Sequence, residues 1–80
     1  MSDLIDDLSD VVKLLVDEPE AVHIEELEEQ DSVRLELQVA PDDLGKVIGR
    51  QGRTVRALRN LLDGRGEREG ERYRLEILDD

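Results

Sequence analysis

The sequence predicts an α+β fold in which helices cover one face of a three-stranded mixed sheet. Three observations predict it. Two short segments, "VRLELQV" and "RYRLEIL", alternate apolar and polar residues at the period of a half-buried strand. An apolar stripe at helical spacing opens the chain. A helical stretch separates the two alternating segments, so they can pair in parallel through a crossover. Eighty residues form one domain at most, read here as 1–80. At that length the hydrophobic core is thin.

Each element follows from its residues. Ser2 can cap the first helix, with Asp3 in its favourable first turn. Leu4, Ile5, Leu8, Val11, Val12, Leu15 and Val16 form one apolar stripe, with Asp6, Asp7, Asp10 and Lys13 on the other face. Pro19 stops the helix, because proline restricts the residue before it. "AVHIEEL" is a short strand with Val22 and Ile24 inward and His23 outward, and "EEQDS" is a turn. In the second strand Val33, Leu35, Leu37 and Val39 face one way, and Arg34, Glu36 and Gln38 the other. Pro41 suits the first position of a helix. Leu44, Val47 and Ile48 give that helix an apolar edge, which ends at "GRQG". A second helix starts near Arg53, with Val55, Leu58, Leu61 and Leu62 inward. "DGRGEREGE" contains three glycines and reads mostly as loop. The last strand turns Tyr73, Leu75 and Ile77 inward. The order is α-β-β-α-α-β, with the first two strands as a hairpin.

Charge divides this chain unevenly. The formal net charge is −11, and residues 1–32 hold twelve acids against Lys13 alone. Yet "GKVIGRQGRTVRALR", Gly45 to Arg59, holds five bases and no acid. Within it "VIGRQGR" is a helix, a tight turn and a second helix. Gly49 and Gly52 allow backbone angles that a Cβ resists. The free N–H groups of the second helix favour an anion at the turn. Arg50 and Arg53 sit beside them, and Arg56 and Arg59 follow one and two turns on. Backbone donors, a helix N-terminus and guanidinium groups together make a phosphate-binding turn. The acid-rich remainder should confine a polyanion to this track.

These residues resemble the signature of the KH domain, and the element order resembles its type II form. The resemblance extends along the chain, through "LVDEPEAV", "LELQVAPDDLGKVIGRQGRTVRALR" and "LEI", to the small bacterial KH-only family, the KhpA type. It implies that Gly49 and Gly52 are the loop glycines that clamp about four single-stranded nucleotides. Arg50 and Gln51 would be the variable pair facing phosphate. Lys46, Ile48 and Arg53 would flank the groove, with Val47 inward, and Arg56 completes the expected RNA-binding set. The implied partners are single-stranded RNA, bound with low sequence specificity, and a second KH protein, as a homodimer or as a heterodimer with a KhpB-type chain. The implied role is that of an RNA chaperone or post-transcriptional regulator. The alternative is a protein-interaction module that acts mainly through dimerisation. One departure stands out: where the family pattern is rich in helix formers, this chain reads "NLLDGRGEREGERY", so Gly64 and Gly66 should shorten the second helix.

Other classes find no support in the residues. There is no cysteine, so no thiolate site or cysteine nucleophile is expected. His23 is the only histidine, and "EELEEQD" lacks the spacing of a calcium loop, so no metal and no cofactor are expected. Ser2, Ser9, Ser32 and Thr54 have no histidine at useful spacing, so no catalytic group is assigned. Tyr73 is the only aromatic, which argues against recognition by stacking. No apolar run approaches membrane-spanning length and the first residues are acidic, so a cytoplasmic protein is the expectation.

Overall fold

The computed structural model describes residues 3–79; the expected cap at Ser2 lies outside them. Its elements are α1 (Leu4–Leu15), β1 (His23–Glu28), β2 (Val33–Gln38), α2 (Leu44–Ile48), α3 (Arg53–Glu69) and β3 (Tyr73–Ile77). Single 3₁₀ turns at Pro19–Ala21, Pro41–Asp43 and Arg50–Gly52 join them. The order α-β-β-α-α-β is the expected one. β2 lies at the centre of the sheet, antiparallel to β1 and parallel to β3. Leu37 stands opposite Ile24 and Ile77, and Leu35 opposite Leu75, so the apolar side of each strand meets the next on one face.

That face and the helices enclose the core. α1 contributes Leu8 and Val12, β2 contributes Val33, Leu35 and Leu37, and α3 contributes Val55, Leu58 and Leu62. Burying each such side chain contributes about 1.5–3 kcal/mol relative to leaving it in water. β1 overhangs the helical layer. Glu26 and Glu28 occupy its helix-facing register, opposite Leu35 and Val33, yet both are exposed. On the other face of the sheet Glu25, Glu36 and Glu76 stand in one cross-strand row. Arg34 lies 3.5–3.7 Å from Glu29, Glu36 and Glu76 and offsets their repulsion.

Several local expectations are corrected. Asp3 precedes α1 instead of lying in its first turn: it is the N-cap, and its carboxylate accepts a 2.8 Å hydrogen bond from the Asp6 N–H. β1 runs on to Glu28, taking a residue from the expected turn. Pro41 opens a 3₁₀ turn, and α2 begins three residues later. Leu61, expected inward, is 64% exposed. At about 100° per residue, Val55, Leu58, Leu62 and Gly66 share one side of α3, and Leu61 falls roughly 100° from its centre.

The largest correction concerns "DGRGEREGE", which continues α3 as far as Glu69. Helix order there comes from tertiary contacts. Arg65 donates to Asp7 on α1 at 2.9 Å and to Glu69 one turn on. The Tyr73 hydroxyl, from β3, donates to the same Glu69. The Tyr73 and Arg65 hydrogen bonds hold the Glu69 carboxyl below its ordinary value, and the phenol, bonded to Glu69 and partly buried, is pushed up to about 12. Gly66 is buried because the chain folds back on it. A Cβ there would overlap the Glu71 carbonyl oxygen. Gly70, at φ 71°, ends the helix in the left-handed conformation, and the Glu71 N–H returns to the Gly66 carbonyl at 2.9 Å.

The two helix glycines should therefore respond oppositely to alanine. Gly66→Ala should destabilise the fold by about 1–3 kcal/mol, because backbone must move to admit the methyl. Gly64→Ala meets open space and should stabilise by about 1 kcal/mol. Urea unfolding midpoints of the two variants check the pair; equal shifts would refute the folded-back contact.

Candidate functional site

The acid-free window folds into α2, a tight turn and the first half of α3. α2 ends when the Gly49 N–H donates to the Gly45 carbonyl at 2.8 Å. Gly49 then takes φ 78°, ψ 167°, a combination that only glycine adopts readily. Space requires it too: a Cβ would overlap Thr54 Oγ1 and stand 2.8 Å from the Thr54 nitrogen. Gln51 (φ 57°, ψ 25°) and Gly52 (φ 73°, ψ 18°) are both left-handed. At Gln51 this costs on the order of 1–2 kcal/mol. The Gly52 N–H closes the turn on the Gly49 carbonyl at 3.0 Å.

α3 starts at once from this turn with no side chain capping it. Its first-turn N–H groups therefore look into the turn, where an anion is favoured. Arg50, Gln51 and Arg53 are exposed around it. Among the described residues no ion pair or hydrogen bond engages the side chain of Arg50 or Arg53, so both are available to a ligand.

The other expected site residues divide. Val47 is fully buried, as expected, and Ile48 is 38% exposed at the end of α2. Lys46 stands two residues from Ile48, which on a helix turns it to nearly the opposite side. There its ammonium meets Asp17 at 2.6 Å and Asp43 at 3.2 Å. Both carboxylates raise the Lys46 pKa, led by the Asp17 bond. Lys46 is thus committed to the junction between α1 and α2. Arg56 is exposed, but its Nη2 turns back to donate to the Gln51 carbonyl. Arg59 reaches the Leu75 carbonyl on β3 at 3.3 Å.

Sequence reasoning missed Asp43. It is 1% exposed and accepts from the Asp17 and Glu18 N–H groups at 3.1 and 3.0 Å, as well as from Lys46. Burial pushes its carboxyl up, but the two N–H groups and the lysine outweigh burial and hold it below its ordinary value. The only local signal was a lysine three residues on; its backbone partners lie 25 and 26 residues back in the chain. Thr54, in the first turn of α3, forms the wall against which Gly49 packs.

The chain is similar to known proteins over nearly its whole length. A family model described as "KhpA/KhpB, KH domain" matches residues 5–77. A protein of Chlamydia caviae named RNA-binding protein KhpA is 44% identical over 75 residues, covering 94% of this chain and 96% of the relative. The protein of that name in Aquifex aeolicus is 47% identical, covering 90% of this chain and 96% of its own. The one in Clostridium perfringens is 43% identical, covering 85% and 91%. No solved structure matches.

The Asp43 carboxylate gives a pH signature. Its folded pKa lies below the ordinary 3.8, so its contribution to stability is present above that value. The contribution is lost as pH falls through the lower folded value. Glu69 acts in the same direction. Asp43→Asn should be less stable than the parent near neutral pH and should lose less on acidification. Urea midpoints measured between about pH 6 and pH 2 test this. Parallel curves for the two proteins would remove the charge from the explanation.

Proposed function

The chain belongs to the KhpA/KhpB family of KH domains, and from that membership we propose that it is a non-enzymatic, cytoplasmic RNA-binding protein. One KH unit makes up the chain and grips the backbone of single-stranded RNA at the Gly49–Gly52 turn. The observation that carries this reading is the turn itself. It combines positive φ at Gly49 and Gly52, an uncapped α3 N-terminus and two unengaged arginines, within a chain of net charge −11. Elsewhere the acids keep phosphate away. Arg50, Gln51 and Arg53 face the strand, Ile48 lines its apolar side, and Arg56 acts from the underside of the turn. Lys46 joins only by leaving Asp17. Contacts to backbone and the absence of stacking aromatics favour low sequence specificity, which suits an RNA chaperone or post-transcriptional regulator.

A second reading has its own observation. Ala57, Leu61 and Gly64 lie on one exposed line of α3, with Leu61 64% exposed and open space over Gly64. Leu61 also borders a groove lined by Leu4, Leu8, Val11 and Leu62. An exposed leucine between small residues suits the close approach of another helix. This favours pairing with a second copy or with a KhpB-type chain. Sedimentation from micromolar to hundred-micromolar protein should show a concentration-dependent dimer, and Leu61→Asp should leave a folded monomer. A parent that stays monomeric throughout removes the homodimer.

The RNA reading makes a sharper prediction. Replacing Arg50 and Gln51 together by Asp should abolish RNA binding without unfolding the domain, since both are exposed. Single-stranded RNA should bind better than the same strand annealed to its complement. With about two or three phosphates neutralised, log K should fall with log[salt] at a slope of about −1.4 to −2.1. Arg50→Ala and Arg53→Ala should each flatten that slope by about 0.7. Arg34→Ala, on the sheet face away from the helices, should leave it unchanged. Fluorescence anisotropy across salt concentrations measures all of these, and a duplex preference would place RNA elsewhere.

A further inference from the structure

We propose that Arg56 is a positioning residue: its guanidinium holds the Gln51 carbonyl and so keeps the Gly49–Gly52 turn in the shape that meets phosphate. This rests on the reading of that turn as the RNA contact. Three observations converge on it. Gln51 is the one non-glycine residue with positive φ among those described. A glutamine has no short polar side chain to support the left-handed conformation locally, as an asparagine has, so the support must come from elsewhere. Arg56 Nη2 donates to the carbonyl of that same residue. The same nitrogen lies over Gly52, where a Cβ would stand 3.7 Å from it. Arg50 and Arg53 look outward from the turn while Arg56, one turn down α3, looks back at it. The exposed cationic cluster thus divides by function. Two arginines are free to meet phosphate, and the third fixes the backbone that aims them.

The division has a measurable signature. A phosphate partner contributes to the salt slope, whereas a residue that shapes the turn changes affinity equally at every salt concentration. The experiment compares the parent, Arg56→Ala, Gln51→Asn and the double variant, using a fluorescent oligouridine strand at several salt concentrations. Arg56→Ala should weaken binding about tenfold, the size expected when one strained residue loses its support, at an unchanged slope. Gln51→Asn supplies intrinsic left-handed preference, so the double variant should regain most of that loss. A slope flattened by about 0.7 in Arg56→Ala would make it one more phosphate partner and overturn the proposal. An affinity that does not fall, or a loss that Gln51→Asn fails to recover, would overturn it too. A second arm needs no RNA. In the free protein, backbone NMR couplings and shifts of Gln51 should leave left-handed values in Arg56→Ala and return to them in the double variant. If these stay put, the proposal fails even where RNA binds as expected. If they move while the RNA does not bind at the turn, it is the RNA reading that fails.

Discussion

A carboxylate as far out of water as that of Asp43 needs both its charge and its lone pairs met, and the chain meets them from two directions. The Asp17 and Glu18 N–H groups come from the segment leaving α1, and the Lys46 ammonium comes from α2. Those contacts fix where the N-terminal helix ends relative to where the glycine turn begins. α2 is only five residues long, too short to hold a direction by its own hydrogen bonds. Val47 anchors one side of it in the core, and Asp43 with Lys46 anchors another. The turn that follows inherits its orientation from that pair of anchors. The twelve acids of residues 1–32 therefore do more than solvate the chain, since Asp17 helps to hold a base of the acid-free window.

The strands and their pairing were legible because β2 alternates without a fault and because a crossover dictates parallel pairing. The turn was legible because its glycines and its clustered bases lie within one short window. What escaped the sequence depends on partners distant along the chain. Gly64 and Gly66 look alike locally, yet one faces open space and the other lies beneath the Glu71 carbonyl. Propensity alone ends α3 before them. Arg65, Asp7, Glu69 and Tyr73 carry it past them, and that network joins residues up to 58 positions apart. Leu61 was placed inward together with Val55, Leu58 and Leu62, although the helical angle turns it away from the side those three share. The family resemblance placed Lys46 and Ile48 together beside the groove, and the same angle puts them on different sides of α2.

Charge is sorted by surface as well as by sequence. The helix-free face of the sheet carries the row of Glu25, Glu36 and Glu76, threaded by Arg34. The bases of the glycine turn lie at the junction of α2 and α3, in the layer on the opposite side of the sheet. Arg65 is withdrawn into ion pairs with Asp7 and Glu69, and Lys46 into those with Asp17 and Asp43. Arg50 and Arg53, unpaired among the described residues as Arg68, Arg72 and Arg74 also are, differ from those in lying within the window that holds no acid, and in so acidic a molecule that pair defines a direction for an approaching polyanion.

The sheet ends in two free edges, and each is closed by a different device. On β1, Glu26 and Glu28 sit in the inward register beyond the cover of the helices, while Glu25 lies on the other face. A strand from another molecule could pair with that edge only by crowding its own side chains against carboxylates on both faces. On β3, the residues bonded to β2 alternate with residues whose carbonyls point away from it, and Leu75 is one of the latter. Arg59 already occupies that carbonyl. A small chain with a thin core and two open edges would be prone to pair edge to edge into polymers. Here carboxylates guard one edge and a side chain reaching over from α3 guards the other, so the chain keeps its open sheet from growing without a strand to cover it.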